Sequence, residues 1–222
     1  MISSVKPQKD KHKIGEDRRI RWLYKPIVWT LCLTPLIWFS ALLIKQDLTA
    51  NPAEFYNRYF GKWAIRMLWL SLAVTPFRII TGWKHAIRFR RLLGLFAFFY
   101  LTLHISSYVI LDQNLNWFAI YNDIIKRFYI TIGLAAFVIL TALAITSYGP
   151  LMKILGGKNW STLHKGAYIA GILGGIHFFM MRKGLQLEPL IYAGALMILF
   201  AVRFGYQLKK RLLRQRKTPL IP

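Results

Sequence analysis

The chain alternates between long apolar runs and short segments rich in lysine and arginine. The apolar runs lie at about 26–44, 62–80, 91–111, 128–148, 163–181 and 189–207. Each has roughly the 20 residues that a helix needs to cross about 30 Å of hydrocarbon, where a helix satisfies its own backbone groups. The pattern therefore predicts an all-α integral membrane protein, built as a six-transmembrane helix bundle.

The runs divide the 222-residue chain into three predicted segments. A basic segment at 1–25 precedes the bundle at 26–207, and a basic tail at 208–222 follows it. The first run is long enough to span, and no small-residue cleavage motif follows it, which favours an uncleaved anchor over a signal peptide. The second run is the weakest prediction, because Lys62 and Arg66 lie in its first turns and would have to snorkel to the interface.

Basic residues are distributed unevenly between the two sides of the predicted bundle. Alternate loops and both chain ends carry 23 of the 31 lysines and arginines, whereas the opposite loops carry 8. The positive-inside rule therefore places both termini in the cytoplasm. In a soluble protein a net charge of +23 would suggest nucleic-acid binding. Topology explains the charge here, so we expect membrane lipid, and no nucleic acid, as a partner.

Composition narrows the possible chemistry. Hydrophobic residues make up 55% of the chain and its mean hydropathy is +0.37, values typical of a multi-pass membrane protein. The one cysteine, Cys32, lies in the first run. A single cysteine excludes a disulfide within the chain, a cysteine-ligated metal cluster and the covalent attachment of a c-type haem.

Two histidines lie deep in predicted spans at matching depths. His104 is 13 residues after Arg91, and His177 is 13 residues after His164. At about 1.5 Å per residue, both lie about 20 Å from the cytoplasmic side. A histidine inside a membrane is costly and usually functional. Two imidazoles from two helices at one depth are what a non-covalent haem b requires as iron ligands.

Other roles for these histidines stay open. A packing contact or a proton relay is the alternative for either of them. Zinc is a weaker alternative, because it usually takes three or four ligands and no acid or cysteine lies at that depth. A proton-coupled transporter would require acidic residues within the spans, and the predicted spans contain none. A structural scaffold would leave the matched depths unexplained.

A second level of candidate residues is predicted towards the cytoplasm. His164 stands at the cytoplasmic start of the fifth run, although 13 residues of ideal helix would turn it about 220° away from His177. Arg90 lies 14 residues before His104, within about 40° of the same helix face. Arg90, Arg91 and Arg78 are suited to hold a flavin phosphate, a haem propionate or an acidic partner. The positive-inside pattern alone is the alternative for Arg91 and Arg78, whereas its register with His104 singles out Arg90.

Four stretches carry a resemblance to a known family. They are 90–95 (RRLLGL), 103–108 (LHISSY), 160–164 (WSTLH) and 175–178 (GIHF). In this order and spacing they resemble the MsrQ (formerly YedZ) family, the haem-binding membrane subunits of bacterial periplasmic methionine sulfoxide reductase systems. The family lies within the ferric reductase-like transmembrane superfamily. The likeness runs from Thr75 to about Gly194, and more loosely over the whole chain.

The resemblance implies a set of cofactor ligands. The family's haem ligands correspond to His104, His164 and His177. Superfamily members with two stacked haems carry another histidine 14 residues before the first ligand, and Arg90 takes that position here, as in the MsrQ family. One or two haems b are thus implied: His104 with His177 for one, and His164 with Arg90, with water or with no second ligand for the other.

The resemblance also implies partners and a location. It implies FMN and quinone as cofactors, and a cytosolic flavin reductase or the quinol pool as electron donor. It further implies the periplasmic molybdopterin reductase MsrP as the other subunit of a heterodimer that repairs oxidised periplasmic proteins. The chain would then be an electron-transfer subunit, multi-pass in the bacterial cell inner membrane. A ferric reductase-like cytochrome b that serves another acceptor is the nearest alternative.

Overall fold

The computed structural model describes residues 15, 18–45, 50–181 and 187–217. The chain divides into two compact units, Met1–Thr49 and Ala50–Pro222. Most of the predicted basic segment at 1–25 and the end of the predicted tail at 208–222 lie outside the described residues. Within the described ranges every regular element is helical, in agreement with the predicted all-α class.

The first unit contains one long helix. Helix α1 spans Lys25–Ile44, and a single π-helical turn, Ile20–Tyr24, precedes it. Its hydroxyl side chains bond back to carbonyls four residues earlier, as Thr30 does with Pro26 at 3.1 Å and Thr34 with Thr30 at 3.0 Å. These bonds leave the hydroxyls satisfied within the helix, as an apolar environment requires.

The second unit contains seven helices in its described residues. They are α2 (Pro52–Thr81), α3 (Ile87–Ser107), α4 (Trp117–Lys126), α5 (Phe128–Ile145), α6 (Gly149–Leu163), α7 (Gly166–Met181) and α8 (Leu187–Lys217). A 3₁₀ turn, Lys84–Ala86, leads into α3, and a π-helical turn, Tyr108–Asp112, continues it.

Within the described ranges, five helical segments are long and apolar enough to cross a membrane. They are Trp22–Ile44, Pro52–Thr81, Lys84–Asp112, Phe128–Ile145 and Leu187–Leu213. The predicted span at 163–181 corresponds to α7, which is apolar but has 16 residues. It is shorter than predicted because the chain turns at His164 and Lys165, where α6 ends and α7 begins.

Helix α2 begins well before the predicted span at 62–80. Asn51 caps its first turn by accepting the N–H of Glu54 at 3.2 Å, and Pro52 occupies the first helical position. Lys62 and Arg66 therefore lie in the helix interior. Lys62 pairs with Glu188 of α8 at 2.9 Å, and Arg66 donates to the hydroxyl of Tyr192 at 2.5 Å. Both side chains thus contact α8.

Two helix pairs form the centre of this unit. Helix α2 packs along α3, and α5 packs along α7. The pairs meet through contacts of α2 with α7 and of α3 with α5, while α8 packs on α2 and α7. We call the end where α5 begins the Arg127 end, and the opposite end, where α3 begins, the Arg90 end. The four acids among the described residues lie at the Arg127 end: Glu54, Asp112, Asp123 and Glu188.

Two helices fall between the predicted spans. Helix α4 begins at a cap, where Asn116 accepts the N–H of Ala119 at 3.1 Å, and it packs on α5. Helix α6 is interrupted at Gly156, whose φ of 72° lies in the left-handed region that glycine adopts without strain. Both helices were missed because they are too short to register as apolar runs.

Candidate functional site: a histidine pair in an apolar cavity

A cavity of about 360 Å³ lies between the two helix pairs and reaches the Arg127 end. Its volume falls within the range of about 300–1,000 Å³ that is usual for small-molecule and cofactor sites. Apolar side chains make up most of the lining. They include Ile65, Leu68, Leu101, Ile105, Ile130, Leu134, Leu140 and Phe178. Such a wall excludes water and favours a large apolar ligand.

His104 of α3 and His177 of α7 face each other across this cavity. Their ring centres are 6.2 Å apart and their planes cross at 74°. Two imidazoles bound at about 2 Å to opposite sides of one metal ion have their ring centres roughly 6 Å apart. The observed separation therefore suits one six-coordinate iron held between the rings.

A hydrogen bond from Nδ1 to a backbone carbonyl fixes the orientation of each histidine ring. His104 Nδ1 lies 2.9 Å from the carbonyl oxygen of Asn57, and His177 Nδ1 lies 2.7 Å from that of Tyr129. A carbonyl oxygen can only accept, so Nδ1 carries the proton in both rings. Each Nε2 is then left with its lone pair free, which is the form that binds a metal.

The mouth of the cavity at the Arg127 end is polar. Arg127 pairs with Asp123 at 3.1 Å, and Tyr108 donates to the same carboxylate at 2.8 Å. Arg58 forms an ion pair with Glu54 one turn earlier in α2. A ligand with an apolar body and an anionic edge would meet Arg58 and Arg127 here, and haem has this shape.

His164 belongs to a different environment, at the Arg90 end. Its ring stacks on Trp160 with centres 4.0 Å apart, and its Nε2 lies 3.3 Å from the hydroxyl oxygen of Thr146. Burial, followed by the positive charges of Arg90 and Arg91, lowers the pKa of His164 below its ordinary value. Its imidazole is therefore neutral at neutral pH. His164 is not among the described residues that line the cavity.

Guanidinium groups gather beside His164. Arg90 and Arg203 both lie over the ring of Tyr168, with distances of 5.8 and 4.6 Å to its centre. Arg78 lies within electrostatic reach of Arg203. One guanidinium nitrogen of Arg203 and the hydroxyl of Tyr168 are buried without a hydrogen-bond partner in the protein. The charges and the unpaired donors together suit an anionic ligand.

The structure thus separates the six predicted site residues into two groups. His104 and His177 meet at the cavity, whereas His164, Arg90, Arg91 and Arg78 lie at the Arg90 end. Sequence reasoning missed the two carbonyl acceptors, Asn57 and Tyr129, because any residue type supplies a carbonyl. It also missed Tyr168 and Arg203, because neither residue type by itself marks a binding site.

A family model described as ferric reductase like transmembrane component matches residues 60–175. This range is more than half of the chain. It contains His104 and His164 and ends two residues before His177. The chain belongs to the ferric reductase-like transmembrane family. Together with its apolar helices, this membership makes it a multi-pass membrane protein, of the inner membrane in bacteria.

Within this family the chain is similar to MsrQ proteins. It is 47% identical over 184 residues to the protein-methionine-sulfoxide reductase heme-binding subunit MsrQ of Rhodospirillum rubrum, covering 83% of this chain and 88% of that one. It is 42% identical over 191 residues to MsrQ of Polaromonas naphthalenivorans, covering 83% and 87%. It is also 38% identical over 199 residues to the magnetosome protein MamZ of Magnetospirillum gryphiswaldense, covering 87% of this chain but 30% of MamZ.

Proposed function

We propose that this chain is a haem b electron-transfer subunit of a membrane-bound methionine sulfoxide reductase system. The observation that carries the proposal is the pair His104 and His177, with ring centres 6.2 Å apart and each Nδ1 bonded to a carbonyl. The relatives named heme-binding subunits support the choice of haem over another metal. Among the described residues no group of three metal-binding side chains offers an alternative site.

In this proposal the protein supplies ligation, orientation and a dry environment. His104 and His177 bind the iron through Nε2, while the carbonyls of Asn57 and Tyr129 hold each ring in place. The apolar lining keeps water from the iron, and Arg127 neutralises an acidic edge at the mouth. The haem itself supplies the one-electron redox chemistry.

We place both termini in the cytoplasm, so that the Arg127 end faces the periplasm. The uneven distribution of lysine and arginine supports this orientation. The four described acids, all at the Arg127 end, agree with it. The chain segments are then the basic N-terminal segment at 1–25, the six-span bundle at 26–207 and the basic tail at 208–222, with α7 as the short span.

Electrons enter, in this proposal, at the Arg90 end. Arg78, Arg90, Arg91 and His164 would bind an anionic redox cofactor there, either FMN or a second haem. The buried, unpaired donors of Arg203 and Tyr168 support an anion at this level. A cytosolic flavin reductase or quinol would be the donor. The electrons would then pass to the haem held by His104 and His177, and His104 lies about 20 Å from Arg90 along α3.

The acceptor would dock at the Arg127 end, where the cavity reaches the protein surface. We propose the periplasmic molybdopterin reductase MsrP as this partner, in a heterodimer that repairs oxidised periplasmic proteins. The names of the relatives, which include a protein-methionine-sulfoxide reductase, support this choice. Membership of the ferric reductase-like transmembrane family supports, as the second candidate, a subunit that serves another acceptor.

A reduced-minus-oxidised absorption spectrum of the purified protein tests the proposal. Dithionite reduction should produce a b-type α-band, and a pyridine haemochrome assay should give one or two haems per chain. A protein that folds in the membrane but shows no α-band would refute the proposal. Co-purification with a molybdopterin protein separates the first candidate from the second.

A further inference from the structure

Each of the two facing histidines lies against a glycine of the neighbouring helix. His104 lies against Gly61 of α2, and His177 lies against Gly133 of α5. Both glycines line the cavity. The two contacts belong to different helix pairs, so they are two independent instances of one arrangement.

Each glycine lies four residues after the residue whose carbonyl accepts from the histidine. His104 Nδ1 bonds to Asn57, four residues before Gly61, and His177 Nδ1 bonds to Tyr129, four residues before Gly133. In an α-helix the carbonyl of residue i faces the N–H of residue i+4. A side chain at i+4 leans back over the preceding turn and so covers that carbonyl. Glycine leaves the carbonyl open to a ring from another helix.

The space available at both positions is too small for a side chain. A Cβ on Gly61 would lie 3.0 Å from Nδ1 of His104 and 3.1 Å from Cε1. A Cβ on Gly133 would lie 2.8 Å from Nδ1 of His177 and 3.0 Å from Cε1. The nearest atom in each case is the nitrogen that donates to the carbonyl, so even alanine would push against the hydrogen bond itself.

We infer that Gly61 and Gly133 are positioning residues that tune the two candidate iron ligands. They open the carbonyls of Asn57 and Tyr129 to the imidazole N–H groups and thereby direct each Nε2 into the cavity. A hydrogen bond from Nδ1–H to a carbonyl raises the basicity of Nε2. A more basic ligand stabilises the oxidised iron and lowers its reduction potential. This inference rests on the proposed haem site.

The test compares Gly61→Ala and Gly133→Ala with two control substitutions. Gly94→Ala in α3 adds a Cβ at an ordinary 3.4 Å from Ser71, and Gly194→Ala in α8 adds one with nothing within 4 Å. All four changes increase helix propensity by about 1 kcal/mol. A defect confined to Gly61→Ala and Gly133→Ala therefore arises from the clash and not from the helix.

The measurements are haem content, the reduction potential from a titration of the α-band, and the low-spin signal in electron paramagnetic resonance. We expect both variants to lose affinity for haem, about tenfold to a hundredfold, as for other groups that support a metal ligand. The haem that stays bound should have a higher potential and an altered low-spin signal. Gly133→Ala should be the more affected, because its contact is the closer.

The outcomes separate this inference from the proposed function. A wild-type protein without b-type haem refutes the proposed function. Haem-loaded wild-type protein with folded Gly61→Ala and Gly133→Ala variants of unchanged content, potential and signal refutes the inference alone. If Gly133→Ala does not fold, Gly61→Ala decides, since its contact is milder: an unchanged potential and signal in that variant contradict the role of the glycines.

Discussion

The cavity level and the Arg90 end both draw on α3 and on the α6–α7 segment, yet they present opposite chemistry. At the cavity, His104 and His177 bond through Nδ1 and keep Nε2 free. At the Arg90 end, His164 has its Nε2 beside the hydroxyl of Thr146 and its face against Trp160. The cavity level has two Nε2 lone pairs that can bind a metal. The Arg90 end has one imidazole, which already contacts Thr146 and Trp160, among guanidinium groups.

The comparison shows that the hydrogen-bond partner, more than the residue type, decides what a buried histidine can do. A carbonyl on Nδ1 leaves Nε2 as a ligand, while the hydroxyl oxygen 3.3 Å from Nε2 of His164 takes the position that a metal would need. Charge separates the levels further, because Arg90, Arg91 and Arg203 favour an anion at the Arg90 end. Three experiments test the contrast between the two levels.

Removing either proposed iron ligand at the cavity should abolish most of the haem. We expect His104→Ala and His177→Ala each to lower the α-band at least tenfold, because one imidazole would hold the haem iron less tightly than two. His164→Ala is the matched comparison and should retain the cavity haem. The α-band per folded protein provides the measurement. Equal losses in all three variants would contradict the separation into two levels.

Neutralising Arg90 should affect the other level alone. A charge-assisted hydrogen bond is worth about 1.5–3 kcal/mol, so for the FMN that we propose as one occupant of this end, Arg90→Gln should lower the co-purified amount about tenfold or more. The α-band of the cavity haem should not change. Flavin released from the denatured protein can be quantified by fluorescence, with Arg88→Gln as the control in the same basic segment. Unchanged flavin together with a weakened α-band would reverse our assignment of the levels.

A smaller effect should follow from changing the aromatic partner of His164. The indole N–H of Trp160 donates to the carbonyl of Thr146 at 3.0 Å, so Trp160→Phe removes this bond while an aromatic ring still covers His164. We expect a loss of about 1 kcal/mol in the free energy of unfolding. Trp117→Phe, at an exposed position, should cost less. A loss of the cavity α-band in Trp160→Phe would show that the levels are coupled.

Much of the architecture could be read from apolar run lengths. The runs predicted where long helices lie, because an apolar stretch of about 20 residues has few alternatives to a membrane-spanning helix. The ends of the helices were harder to predict from the sequence. Nothing in the apolarity of the fifth run marked the turn at His164 and Lys165. The predicted 220° offset between His164 and His177 does not apply, because the two residues do not share one continuous helix.

The sequence by itself determined the helical class, because apolar runs of about 20 residues have few alternatives to a membrane-spanning helix. It also predicted that His104 and His177 lie at one depth. Only the tertiary structure decided which ring nitrogen faces the cavity and which residues hold it there. Those outcomes depend on backbone carbonyls of other helices and on the space beside Gly61 and Gly133. Every residue has a carbonyl, so the sequence does not mark the ones that accept from the histidines. The role of each glycine depends on the imidazole that packs against it.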